Sequence, residues 1–383
     1  MVMAGVYIHI PFCRQACHYC NFHFSVSHRQ IRPFVDSLLK EMDLRAGFFG
    51  EPAGEQVFLD SIYLGGGTPS ILEVDDLNRI FERLSRHFSF DSGTEITMEA
   101  NPDDLSPEKV RALRQTPVNR FSIGIQSFHA PDLEYMNRIH SPDQAFRAVE
   151  NALAEGFGNL TIDLIYGTPT MDDVIWEETL HRTIALNVPH ISAYALTVEK
   201  KTPLEVKIRR GQMQPVDEEQ NARQFEIMTA LLTDAGYAHY EISNFARPGF
   251  FSRHNLSYWT GIPYLGLGPS AHSFLPGRRW WNAANTGLYT DSVNKGNPAG
   301  ESEILTPMQE YDEYVMTSLR TMWGCSLAVV KKRWGADFSD YLLGQASGYI
   351  RKGWLVRQAE FLVLSGKGKL FADRIASDLF RTD

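Results

Sequence analysis

The chain has 383 residues, 43% hydrophobic and 22% charged, which excludes a disordered polypeptide and a coiled-coil rod. Its 29 Gly and 19 Pro follow no collagen period, and a net charge of −9 argues against broad electrostatic binding to nucleic acid or anionic membranes. No apolar run approaches the roughly 18 residues of a membrane span, and Met1-Val2-Met3-Ala4-Gly5 runs into the first strand without a basic leader, so the expected address is the cytoplasm.

Over the first 240 residues short β-rich runs alternate with longer amphipathic ones. Strands are expected at Val6–Ile10, Ser61–Leu64, Glu95–Glu99, Phe121–Ile125, Thr161–Tyr166 and Ile191–Leu196. Helices are expected between them, at 31–48, 75–88, from Pro107, and at 142–155, 172–186 and 217–235. Ser106-Pro107-Glu108 supplies a cap, a first-turn proline and an acid beside the helix dipole. Six βα units predict an α/β fold with a parallel sheet, better as an open six-unit partial barrel than a closed eight-unit one. The working end is then the carboxyl end of the strands.

After residue 238 the pattern changes. Residues 239–300 are rich in aromatics, Gly, Pro and Asn without a helical period, and read as an irregular linking region. Residues 301–383 predict three helices, a small hairpin and a last helix, a winged-helix-like module. With 11 Lys/Arg against 11 Asp/Glu it lacks the basic surface of a DNA reader, so it is expected to be structural or partner-binding. The expected division is 1–238, 239–300 and 301–383.

Three of the four cysteines fall within eight residues, Cys13, Cys17 and Cys20, on a loop just after the first strand. In a reducing compartment this is a poor disulfide framework and a good metal site. Three thiolates can hold three corners of a 4Fe–4S cube and leave one iron open. A Cys3His zinc site using His9, His18 or His23 is the alternative, although the four-residue step from Cys13 to Cys17 fits zinc less well. Cys325 stands apart and reads as a buried small hydrophobe.

Cys13-x3-Cys17-x-Tyr19-Cys20 resembles the signature of radical S-adenosylmethionine (SAM) proteins. The lead-in Tyr7-Ile8-His9-Ile10-Pro11-Phe12 narrows the resemblance to the group containing oxygen-independent coproporphyrinogen III oxidase and the HemW haem chaperones, over nearly the whole chain. The resemblance implies a radical SAM partial barrel and a HemN-like carboxyl-terminal domain. It also implies a 4Fe–4S cluster on Cys13, Cys17 and Cys20, and SAM. Leu64-Gly65-Gly66-Gly67-Thr68-Pro69 permits close backbone approach to SAM and continues into no P-loop. Glu99, Gln126, Arg138 and Asp163 match the positions that coordinate SAM in this group, and Tyr7 and Tyr19 border the ligand. Each of the four is an ordinary loop polar when taken singly, except that an Asp inside an apolar strand needs a partner.

Two departures from the oxidase resemble the HemW branch: Phe22 stands where the oxidase pattern has a further Cys, and no long amino-terminal extension precedes Val6. His254-Asn255-Leu256-Ser257-Tyr258-Trp259 resembles that branch's haem-associated signature. It implies His254 as axial ligand of the haem iron, with Tyr258 and Trp259 against the macrocycle. The bland reading is a hydrogen-bonded histidine with two packed aromatics, and His272 is a second candidate ligand. The expected function is haem binding and delivery to respiratory haem enzymes, at the cytoplasmic face of the membrane. Oxidative decarboxylation of coproporphyrinogen is the alternative.

Overall fold

The computed structural model describes residues 3–50 and 56–381; Met1 and Val2, the start of the amino-terminal stretch noted above, lie outside them. In chain order the first elements are β1 (Ala4–Ile10), α1 (Ile31–Leu44), β2 (Val57–Gly66), α2 (Val74–His87), β3 (Phe88–Ser89), β4 (Glu95–Ala100), α3 (Pro107–Leu113) and β5 (Arg120–Gln126). Next are α4 (Ala130–Tyr135), α5 (Pro142–Ala154), β6 (Leu160–Tyr166), α6 (Asp173–Ala185), β7 (His190–Ala195), α7 (Pro203–Arg209), α8 (Glu218–Asp234), β8 (Ala238–Glu241) and β9 (Asn244–Ala246). The remainder comprises α9 (Arg253–Thr260), β10 (Tyr264–Leu267), β11 (His272–Leu275), β12 (Arg278–Asn282), α10 (Thr286–Asn294), β13 (Gly300–Ile304), α11 (Pro307–Leu319) and β14 (Cys325–Ser326). After them come α12 (Leu327–Trp334), α13 (Ala336–Arg351), β15 (Leu355–Gln358), β16 (Phe361–Leu364), α14 (Gly366–Lys369) and α15 (Ala372–Asp378).

The six expected parallel strands are β1, β2, β4, β5, β6 and β7, neighbours in that order. They are nearly continuously buried because helices cover one face and the barrel interior closes the other; Val6, Ile8 and Ile10 are fully buried. The helices present one apolar stripe to the sheet, as Leu77, Ile80, Phe81 and Leu84 do on α2. Their starts are capped where the sequence places Ser, Asp or Thr: Ser106 accepts from the Lys109 amide, Asp172 from Ile175, and Ser141 forms a capping box with Gln144.

The linking region is more regular than its composition suggests. Strand β10 adds to β1 in parallel, and β11, β12 and β13 extend that edge antiparallel; β9 and β8 extend the other edge from β7. These strands are three to five residues long, too short to establish a period, and the pairings that join them to the barrel, β10 to β1 and β9 to β7, are distant in sequence. The edge strands β13 and β8 are not paired to each other, and the barrel is open. The carboxyl-terminal module has its own three-stranded sheet, β14–β16–β15, and its own core around Tyr311, Val315, Leu342, Leu362 and Leu379. Cys325 is buried in that core.

Candidate functional site

The cysteine loop hangs from the carboxyl end of β1 and is tied to its surroundings by backbone. The Cys13 amide donates to the Ser25 carbonyl, the His18 amide to Met136, and the Leu204 amide to His18. Asn137 completes the attachment: its side chain donates to the Ala16 carbonyl and its own carbonyl accepts from Gln15. Asn137 adopts a left-handed φ of 58°, a conformation Asn tolerates better than most residues.

Cys13, Cys17 and Cys20 line one cavity of about 530 Å³, together with Tyr19, Gly66, Gly67, Thr68, Glu99, Gln126, Arg138 and Asp163. Tyr7 is the one residue of the expected SAM set outside that lining; its hydroxyl meets His9 Nδ1 at 3.1 Å, and its ring stacks on Tyr63. Burial pushes the Cys13 thiol up, and the Cys20 thiol up to about 11, so these thiolates call for a cation. Arg138 Nη1 lies 3.3 Å from Cys17 Sγ.

The donor set fits a cluster better than zinc. His9 is held by Tyr7 and the His23 carbonyl, His23 by Thr286, and His18 by the Tyr135 carbonyl and Lys207, so each histidine already has a partner. Among the described residues no three His, Cys, Asp or Glu side chains converge on a single-ion site.

The rest of the cavity suits a zwitterionic nucleoside. Gly66 has φ +102°, and a Cβ there would lie 2.5 Å from the His9 ring; one on Gly67 would lie 2.7 Å from two backbone oxygens. Glu99 accepts from Tyr63 Oη at 2.8 Å and from the Gly66 amide at 3.1 Å. Burial pushes its carboxyl up to about 7. Asp163 has the partner its strand position demanded: Ser122 Oγ donates to it at 2.8 Å, and burial raises it to about 6. Arg138 Nη2 donates to Asn101 and to the Gly124 carbonyl, while its Nε is buried without a partner, an open donor for a carboxylate. Gln126 sits at a β-bulge with φ 67°, which re-aims its side chain at the cavity.

Sequence reasoning missed Arg120, Ser192, Tyr194 and Asn255, which also line the cavity. Tyr194 and Ser192 lie on a strand read correctly and show the alternation that faces the interior; Arg120 opens β5 at the opposite end from the loops and gave no signal.

The His254 motif divides three ways. His254 is 1% exposed, with Nδ1 2.9 Å from Ser61 Oγ and Nε2 2.9 Å from Tyr258 Oη, and its ring stacks on Tyr63. Both nitrogens are engaged, so the expected iron ligation by His254 does not follow from this geometry; helix α9 turns that face toward β1 and β2. Burial and nearby Arg120 push its pKa down to about 3, keeping it neutral. Asn255 lines the cavity, and Tyr258 and Trp259 line a separate cleft with His272.

The radical SAM superfamily matches residues 7–183, and the HemN C-terminal domain matches residues 305–371. "Heme chaperone HemW" of Mycobacterium tuberculosis (strain H37Rv) is 34% identical, over 98% of this chain and 94% of its own. That of Bacillus subtilis (strain 168) is 32% identical, over 97% and 98%, and that of Escherichia coli (strain K12) 30%, over 97% and 96%. The solved structure of coproporphyrinogen III oxidase (HemN) from Escherichia coli superposes with a TM-score of 0.85 at 24% identity, covering 98% of this chain and 90% of its own, and shows the fold. The superfamily implies a 4Fe–4S cluster and SAM, for which the cavity has the donors. Similarity of this order along both the barrel and the tail means that the chain belongs to the HemW family of radical SAM proteins.

Proposed function

We propose that the protein is a haem chaperone on a radical SAM scaffold, which binds haem and passes it to acceptor haem proteins. The observation that carries this reading is the similarity along the whole chain to proteins named heme chaperone HemW. Phe22, exposed at the rim of the cysteine loop in place of a further thiol, supports it.

Cys13, Cys17 and Cys20 would hold the cluster. Gly66, Gly67, Thr68, Tyr19, Glu99, Gln126, Arg138 and Asp163 would hold SAM. A cluster there would supply a one-electron reductant beside SAM. The chain's own contribution is a buried, desolvated cradle: Arg138 offers Nε to a carboxylate, and Glu99 and Asp163 offer oxygens to hydroxyl or amino groups. The acceptors on this reading are respiratory enzymes with cytosol-facing haem sites, reached from the cytoplasm. Among the described residues no helix is long and apolar enough to cross a membrane.

The test is anaerobic purification with iron and sulfide analysis, followed by haem titration with and without the cluster and an assay for coproporphyrinogen conversion. Stoichiometric haem binding without turnover is expected. Turnover of coproporphyrinogen would replace this reading with the oxidase one.

A further inference from the structure

The cleft that Tyr258 and Trp259 line lies outside the barrel, between the β10–β12 extension and helix α11 of the carboxyl-terminal module. It measures about 330 Å³, the low end for a small-molecule site. Tyr264 and Phe274 stack with their ring centroids 6.1 Å apart, and Tyr258 meets Tyr264 edge to face at 4.7 Å. Flat apolar area of this kind suits a macrocycle. The Trp259 indole nitrogen is buried without a hydrogen-bond partner, an unmet donor in the wall of the cleft.

The two histidines near it differ in one respect that decides between them as iron ligands. Both nitrogens of His254 are taken, and the ring is buried against β1 and β2. His272 opens β11, is exposed, and stacks on Trp281 of the adjoining strand at 5.9 Å; no hydrogen bond to its ring is found among the described residues. A solvent-accessible imidazole with both nitrogens uncommitted, its plane fixed by a stacked indole, is ready to bind iron. Two cations also line the cleft. Arg333 lies 3.8 Å from Glu310, a loose pairing that a propionate can displace, and Arg279 pairs with Glu313.

We propose that haem binds in this cleft with His272 as the iron ligand, while His254 positions Tyr258 from behind through its hydrogen bond. The assignment rests on the haem-chaperone reading above. A seat outside the barrel leaves the cluster and SAM cavity separate from the cargo, and a shallow cleft leaves a haem edge accessible to an acceptor.

Ferric haem is titrated into the full-length wild type, His272→Ala, His254→Gln and the Tyr264→Ala, Phe274→Ala pair, with optical and electron paramagnetic resonance spectra recorded at saturation. In the wild type a histidine-ligated spectrum is expected. His272→Ala should lose it and regain it on adding imidazole, which separates a lost ligand from a lost fold. His254→Gln should keep it, and the double variant should keep the ligand but weaken binding about tenfold. A wild-type spectrum retained by His272→Ala, or histidine ligation lost in His254→Gln alone, overturns the assignment while leaving the chaperone reading intact. A wild type that binds no haem overturns that reading and this one with it.

Discussion

Glu99 enters the cavity from β4 with Tyr63 and the Gly66 amide bonded to its two oxygens, and burial still lifts its carboxyl from 4.5 to about 7. The unfolded chain releases this proton near 4.5 while the native chain keeps it to about 7. The native state therefore binds more protons in that window, and stability falls as pH rises through it. Asp163, raised to about 6, acts in the same direction. Glu99→Gln should remove the Glu99 part, so that without SAM the variant gains on the order of 2 kcal/mol relative to wild type between pH 4.5 and 7.5. Urea unfolding at the two pH values measures this; a gap that does not widen with pH refutes it. Arg138 gives a second prediction. Removing a buried charged donor costs a ligand carboxylate roughly 10- to 100-fold in affinity, so Arg138→Ala should weaken SAM binding by that factor in anaerobic calorimetry.

At the scale of elements, the turn after β2 is held by backbone at both ends. The Gly67 amide donates to the Ile10 carbonyl and the Thr68 amide to Phe12, which stitches it to the start of the cysteine loop. A Cβ on Gly67 meets no flexible side chain first: its nearest neighbours are backbone atoms of Ile10 and Phe12. Gly67→Ala should cost about 1–3 kcal/mol and lower the iron content of the purified protein, read by metal analysis against chemical denaturation. The sequence displayed this region well because strand ends in a parallel sheet converge, so polar residues at those ends share one cavity whatever the details of the loops. It displayed α9 poorly. His254 and Tyr258 are four residues apart and meet on one face, but which face looks inward is set by Ser61, Tyr63 and Tyr7, distant partners that no local pattern names. The short helices α4 and α7 and strands β8 to β13 were hidden because each is too short to show a period of its own and is stabilised by what it packs on.

Among the described residues the apolar side chains form separate cores, one through the sheet and its helices, a second in the carboxyl-terminal module, and a small third around Leu133, Ile165 and Leu204. Leu362, fully buried in the second, should on Leu362→Ala lose about 2–5 kcal/mol. In differential scanning calorimetry that loss should appear as an earlier transition of the module, with the barrel's transition and its cluster content unchanged; equal shifts in both would mean the cores unfold as one. Strand β1 is the first strand among the described residues, yet it lies inside the sheet, with β2 on one side and β10 on the other. During synthesis its outer edge therefore stays unpaired until Leu267 has emerged, long after the helices that follow β2 can form. A nascent chain that stops short of Tyr264 carries the cysteine loop on an edge strand with open amides and carbonyls, a template for pairing with a neighbouring chain. Holding translation before β10 should thus yield aggregates, whereas release beyond it lets the ribosome hand over a β1 paired on both sides to whatever machinery inserts the iron and sulfide.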